Sequence, residues 1–260
     1  MRALLASPLG FLIGLSLGAL GGGGSILAVP ALVYVAGQDP KEAVATSLVI
    51  VATVSLFGLV AHWRAGRVRV QAGVAFSAAG VAGSLVGSAA NGAVDPDVLL
   101  LAFAAVMVVA AVAMVRRPIP RERPAPAGGT RLATRERSAT VVKVLVAGSF
   151  VGLMTGFFGV GGGFVIVPAL VLALRFPMRD AVGTSLLVIA INALVALAAR
   201  LGSGHLQWEV IVPFVVAGVG GVLTGSRLAA ALHPDRLVRA LAVVLVVVAA
   251  YTAIDSALAL

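Results

Sequence analysis

Gly21-Gly22-Gly23-Gly24-Ser25-Ile26-Leu27-Ala28-Val29-Pro30-Ala31-Leu32 returns 138 residues later as Gly159-Val160-Gly161-Gly162-Gly163-Phe164-Val165-Ile166-Val167-Pro168-Ala169-Leu170. Each copy lies inside a long run without charge, residues 3–38 and 144–174. Glycine in a helix interior costs about 1 kcal/mol relative to alanine, so a cluster of glycines breaks a helix. Inside a bilayer such a break is tolerated only where it is buried in protein or lines a cavity.

The same offset holds on both sides of this stretch. Ala43 to Leu48 (AVATSL) matches Ala181 to Leu186 (AVGTSL). Gly80, Gly83, Gly87 and Ser88 match Gly218, Gly221, Gly225 and Ser226, and Pro96-Asp97 matches Pro234-Asp235. Repetition at one fixed offset marks an internal repeat. Residues 43–61, 70–94 and 98–115 in the first copy, and 181–199, 210–226 and 240–254 in the second, are also free of charge. A crossing needs about 20 apolar residues. The runs show no polar–apolar alternation, so they are helices and not barrel strands.

The resulting fold class is an all-α polytopic membrane protein of about eight transmembrane segments. They form two four-segment repeats whose first helices are broken by glycine. The division is a first repeat over 1–117, a linker over 118–142 and a second repeat over 143–260. Met1-Arg2 and the apolar run behind it have the look of a cleaved signal peptide. The matching segment at 144–174 is internal, so the first is read as a span too.

Composition agrees. Of 260 residues, 60% are apolar and 11% charged, and mean hydropathy is +1.11. A water-soluble domain carries about 25% charged residues. The 31 glycines suit close helix packing in lipid. The absence of cysteine excludes disulfides and thiolate sites.

The net charge of +9 does not point to nucleic acid, because six of those charges sit in one segment. Residues 116–143 hold Arg116, Arg117, Arg121, Arg123, Arg131, Arg135, Arg137 and Lys143 against Glu122 and Glu136. With Pro118, Pro120, Pro124, Pro126, Gly128 and Gly129 it reads as a flexible loop without a packed core. Basic loops stay in the cytoplasm, so the linker and both termini are expected there, in a multi-pass plasma-membrane protein. Contact with anionic lipid is the second use of such a loop. An even number of crossings per half gives parallel repeats, the reading favoured by Arg64, Arg67 and Arg69 in the first half. It leaves Arg175, Arg179, Arg236 and Arg239 outside, against the charge rule. A re-entrant glycine segment would instead make the crossings odd and the repeats inverted.

The candidate substrate-binding residues gather at the breaks and just after them. Gly21, Gly23, Gly24 and Ser25 form one break, and Gly159, Gly161, Gly162 and Gly163 the other. A helix restarting there presents unpaired N–H groups and a positive dipole end, which suits an anion. Close packing through small residues is the alternative reading. Thr46-Ser47 and Thr184-Ser185 follow a few residues into the next span. Such hydroxyls donate to a ligand or bond back to the preceding turn. Asn192, inside 181–199, needs a partner at that depth.

His62, His205 and His233 are dispersed, which gives weak support for a metal site, and no metal or cofactor is expected. No GxxxxGK[ST] phosphate-binding loop occurs, nor any nucleophile–base constellation, so the chain is not read as an enzyme. No Asp, Glu, Lys, Arg or His falls inside the charge-free runs, where pumps place their proton carriers.

The run GVGGG followed by VPAL, the AVGTSL, the basic loop after the next span and the G-x-x-G-x-x-x-G pattern together resemble the TauE/SafE family of anion transporters. The resemblance covers nearly everything outside residues 116–143. It implies movement of sulfite, sulfonates or related organic anions, and it gives Gly21, Gly23, Gly24, Gly159, Gly161, Gly162 and Gly163 the family's glycine-motif role. Gly22 stands where the second copy has Val160. The expected activity is transport of a small anion, with export favoured. The expected partners are that anion and membrane lipid, without nucleic acid, and a homo-oligomer is compatible with the sequence. A membrane scaffold for a soluble partner and an anion channel are the rival readings.

Overall fold

The computed structural model describes residues 2–91, 96–116, 133–158, 163–198 and 207–259. The described residues form ten α-helices and one π-helical turn, with no strand. In chain order the helices are α1 (Arg2–Leu20), α2 (Gly23–Pro30), α3 (Pro40–Arg64), α4 (Val70–Asn91) and α5 (Pro96–Arg116). Then come α6 (Ala133–Phe158), α7 (Gly163–Leu172), α8 (Met178–Ala198), α9 (Trp208–Ala231) and α10 (Pro234–Ala259). The π turn, Ala31–Val35, extends α2. Helices satisfy their own backbone, as lipid demands. Among the described residues five helices are long and apolar enough to cross a membrane, within α3, α4, α8, α9 and α10. Ser7–Leu20, Gly23–Val33, Leu101–Arg116, Val141–Phe157 and Gly163–Leu172 are shorter apolar stretches.

The run 3–38 is too long for one simple crossing because it folds back on itself. Gly21 has φ +78°, a conformation that glycine adopts without strain, and α2 starts two residues later. A Cβ on Gly24 would land on the Ile13 carbonyl, and one on Gly23 would come 2.9 Å from the Ser16 hydroxyl. In a straight helix, Gly24 and Ile13 would be about 16 Å apart. The two arms therefore form a helical hairpin. Residues 133–143, expected from composition to be linker, are the start of α6. The prolines that exclude a helix end at Pro126, and Ala133-Thr-Arg-Glu-Arg is compatible with one. Residues 117–132 lie outside the described residues.

Two tight helix pairs tie the halves together. In α1 on α9, Gly10 lies on Phe214, Gly14 on Gly218 and Gly18 on Val222, while Gly221 and Gly225 lie on Phe11 and Leu15. In α4 on α6, Gly148 lies on Phe76, Gly152 on Gly80 and Gly156 on Ser84, while Gly83 and Gly87 lie on Ser149 and Leu153. At each of these glycines except Gly80 and Gly218 a Cβ would strike the neighbour's backbone. Both sets of contacts climb in register, so the paired helices run parallel. Each glycine stripe of the fourth helices packs on the first helix of the other half, and neither half closes on itself.

The direction of each helix follows from contacts at the two ends of the bundle. At one end the Arg69 guanidinium bonds Asp180 through Nε (3.0 Å) and a terminal nitrogen (2.8 Å), 5.2 Å from the Phe176 ring centroid. At the other end Gln38 Nε2 donates to Gln207 Oε1 (3.1 Å), and Gln207 Nε2 donates to Glu42 Oε2 (2.7 Å). Helices α3 and α8 run antiparallel between these ends. α4 and its parallel partner α6 start at the Arg69 end, whereas α9 and its partner α1 start at the Gln207 end. α1 and α6 thus enter from opposite ends, and the halves are inverted.

This corrects the parallel reading. The hairpin returns the chain to the end where it began, leaving three end-to-end helices per half instead of an even number. The expectation that linker and both termini share one side is corrected with it. α1 begins and α10 finishes at the end opposite Arg116 and Ala133, which flank the linker. The charge violation also disappears: Arg64, Arg67, Arg69, Arg116, Arg175, Arg179, Arg227, Arg236 and Arg239 all fall at one end. The opposite end holds Asp39, Glu42 and Glu209, with Arg2 and Lys41 on its helix starts.

Candidate functional site

The α1–α2 turn is buried against the second half. Ser185 Oγ lies 3.0 Å from the Gly21 carbonyl and 2.8 Å from Val182 O of its own helix, and its one proton is shared between them. A Cβ on Gly21 would strike the Ser185 hydroxyl and come 2.9 Å from Val182 Cα. One on Gly22 would strike the Gly163 carbonyl, and one on Gly163 would strike the Ser25 hydroxyl. Ser25 Oγ bonds back across the turn by donating to Gly22 O at 2.8 Å. Gly21, Gly22, Ser25, Gly163 and Ser185 are therefore brought together where the halves meet. Ser185 lies seven residues into α8, roughly 10 Å from its start.

The other expected residues fall around this point. Gly23 and Gly24 form the first turn of α2 and rest on α1. Thr184 Oγ1 accepts the Arg69 N–H at 3.1 Å, tying α8 to the basic end. Ser47 Oγ donates to Val44 O within its own helix at 2.8 Å. Thr46 is fully buried and its hydroxyl has no hydrogen-bond partner among the described residues, and the buried Oδ1 of Asn192 likewise has none among them. Gly159, Gly161 and Gly162 lie outside the described residues.

Sequence reading missed several groups. Ser16 and Ser55 carry buried hydroxyls without partners among the described residues. Nothing distinguishes these residues from other small polar residues of apolar helices until packing shows their burial. His62 is 2% exposed at the end of α3, with Nε2 3.3 Å from the Gly18 carbonyl and Nδ1 without a partner among the described residues. Its place within three residues of Arg64 and Ala65 disguised it as a loop residue. Buried polar atoms normally have partners, so these orphans are the exceptional features of the interior.

Apolar helices, a backbone reversal buried at the contact between inverted halves, and unsatisfied hydroxyls within define a multi-pass helical membrane protein of the transporter class. The family model "Sulfite exporter TauE/SafE" matches residues 6–252. A "Probable membrane transporter protein" of Xylella fastidiosa is 35% identical over 249 residues, covering 93% of this chain and 91% of that protein. "Probable membrane transporter protein YunE" of Bacillus subtilis is 27% identical, covering 88% and 85%. "Probable membrane transporter protein MJ0441" of Methanocaldococcus jannaschii is 26% identical, covering 74% and 71%. The chain belongs to the sulfite exporter TauE/SafE family.

Proposed function

We propose that this protein exports a small oxyanion, sulfite or an organosulfonate or organic acid, across the plasma membrane. The observation that carries the reading is the buried turn at Gly21–Gly22. Backbone polar groups sit there at the contact of two inverted units, each contributing a glycine-led helix start. That is the place where inverted-repeat transporters bind substrate, with N–H groups and dipole ends turned to an anion. Gly21, Gly23, Gly24, Ser25, Gly163, Thr46, Ser47, Thr184, Ser185 and Asn192 supply donors and room, with Gly159, Gly161 and Gly162 as the second unit's share. The basic end faces the cytoplasm, by the retention of Lys and Arg on that side.

The turn is tightly closed, so transport requires the units to rock apart. The Arg69–Asp180 pair ties the α3–α4 connection to the start of α8 at one end, the Gln38–Gln207–Glu42 chain ties the start of α3 to the start of α9 at the other, and they suit contacts that open in turn. Each charge moved through 100 mV is worth about 2.3 kcal/mol, so a dianion leaving a negative interior gains about 4.6 kcal/mol. The test is a substrate panel with purified protein in liposomes. Uptake of sulfite that unlabelled sulfonates or organic acids suppress, and that chloride does not, supports the reading. Equal suppression by chloride contradicts it.

A further inference from the structure

The repeat gives residues at one end of the bundle a counterpart at the other, so the two ends can be compared bond by bond. Arg69 precedes α4, and its counterpart Gln207 precedes α9. Each carbonyl accepts an N–H from the first turn of its helix, Gly73 on Arg69 at 2.9 Å and Ile211 on Gln207 at 3.1 Å. Each side chain grips the matching carboxylate, Arg69 on Asp180 and Gln207 on Glu42. The backbone N–H groups differ. That of Arg69 donates to Thr184 Oγ1 at 3.1 Å. Thr46, the counterpart of Thr184, is fully buried, and its hydroxyl has no partner among the described residues. The Arg69 end is thus fastened by side chain and backbone, the Gln207 end by side chain alone.

One methyl group accounts for the difference. Gly183 stands before Thr184, and a Cβ on it would come 2.6 Å from the Arg67 carbonyl, so the chain leading to Arg69 rests directly on α8. Ala45 stands before Thr46, and its methyl occupies the matching space. Burial agrees, since Val182 and Gly183 are buried while Val44 and Ala45 are half-buried. The first N–H groups of a helix have no partner within it, so Gln207 has one to give. A buried hydroxyl without a partner favours any arrangement that supplies one. We propose that Thr46 is a backbone latch for the Gln207 end: it receives the Gln207 N–H as the Arg69 end opens and Thr184 gives up the Arg69 N–H. One bond forms as its counterpart breaks, and the Ala45 methyl opposes the exchange. The latch rests on the rocking of the units proposed above, and it needs no bound anion.

The test uses anion-free protein in nanodiscs. The chain has no cysteine, so Val182→Cys reports opening of the Arg69 end, at the far end of the bundle from Ala45 and Thr46. Ala45→Gly frees the space and should raise its labelling by an impermeant maleimide about fivefold, the worth of one hydrogen bond. Thr46→Val keeps the shape, removes the acceptor and should lower labelling by a similar factor. Adding Thr46→Val to Ala45→Gly should cancel the gain, which a merely looser helix would keep. Size-exclusion profiles matching the parent keep misfolding out of the comparison. Sulfite flux of the parent in liposomes separates the two readings. Flux with unmoved labelling strikes the latch and leaves transport standing, whereas moved labelling without flux strikes the sulfite reading and leaves the latch. Labelling unchanged by both Ala45→Gly and Thr46→Val, the result for a hydroxyl that serves only a ligand, would overturn the proposal. So would a gain in Ala45→Gly that survives Thr46→Val.

Discussion

Arg69 grips Asp180 at the basic end in the register in which Gln207 grips Glu42 at the other. Each member of the second pair is offset by 138 residues from its counterpart, and Phe176 beside Arg69 matches Gln38 beside Gln207. The two bridges differ in chemistry, an ion pair at one end and neutral amides with one carboxylate at the other. The Arg69 side chain is 55% exposed, so the ion pair contributes at most about 1 kcal/mol.

Loss of that bridge should open the basic end in measurable proportion. The chain has no cysteine, so Val182→Cys introduces a single reporter at a fully buried position behind the pair. Adding Arg69→Gln should raise its labelling by an impermeant maleimide up to about fivefold. An unchanged rate removes Arg69–Asp180 from the closing contact.

The Gly21–Ser185 contact calls for a double-mutant cycle. Gly21→Ala puts a side chain at positive φ and onto the Ser185 hydroxyl. Ser185→Ala leaves the Gly21 carbonyl without its donor, at a cost of about 1–3 kcal/mol. The double variant should be less destabilised than the sum of the singles by more than about 0.5 kcal/mol, since removing Oγ also removes the clash. Thermal unfolding in detergent reads this out, and strict additivity would break the link between the residues.

Glycine stripes give a comparison inside one helix. Gly221→Ala in α9 drives a methyl into the Phe11 carbonyl, so the halves must part and the melting temperature should fall by several degrees. For Gly220→Ala, one residue away, the nearest atom is Phe11 Cδ2 at 4.0 Å, and helix propensity makes it neutral or stabilising by up to about 1 kcal/mol. The interlock also implies that residues 1–117 and 118–260 are each degraded when expressed alone and accumulate when expressed together. Stable accumulation of either half alone would show that it closes on itself.

Much of this was legible in the sequence. The first glycine run and the charge-poor helices located the α1–α2 reversal, whereas the second run at 159–162 lies outside the described residues. Direction was not legible, because the charge rule counts crossings and a charge-free run of 36 residues reads as an odd crossing when it is a reversal. The hydroxyl pairs looked equivalent and are not. Thr184 receives the Arg69 N–H and Ser185 reaches Gly21, whereas Thr46 has no partner among the described residues and Ser47 bonds its own helix. Those differences depend on neighbours more than 100 residues away, which no local pattern encodes.

Sidedness has its own check. Ala173→Cys, in the exposed segment after α7, should react with an impermeant reagent in inside-out vesicles, and Trp208→Cys, at the start of α9, in intact cells. The reverse pattern would place the arginine-rich end outside.

The most direct test of export through the glycine turns is sulfite flux from proteoliposomes with the membrane potential clamped, counted per folded molecule. Efflux should exceed that of protein-free vesicles, rise when the interior is made negative, and vanish in Gly22→Leu that still inserts and elutes as the parent does. The leucine would occupy the space where Gly22 meets Gly163. Parent-level flux in that variant, or no sulfite movement above protein-free vesicles in the parent, would contradict the account.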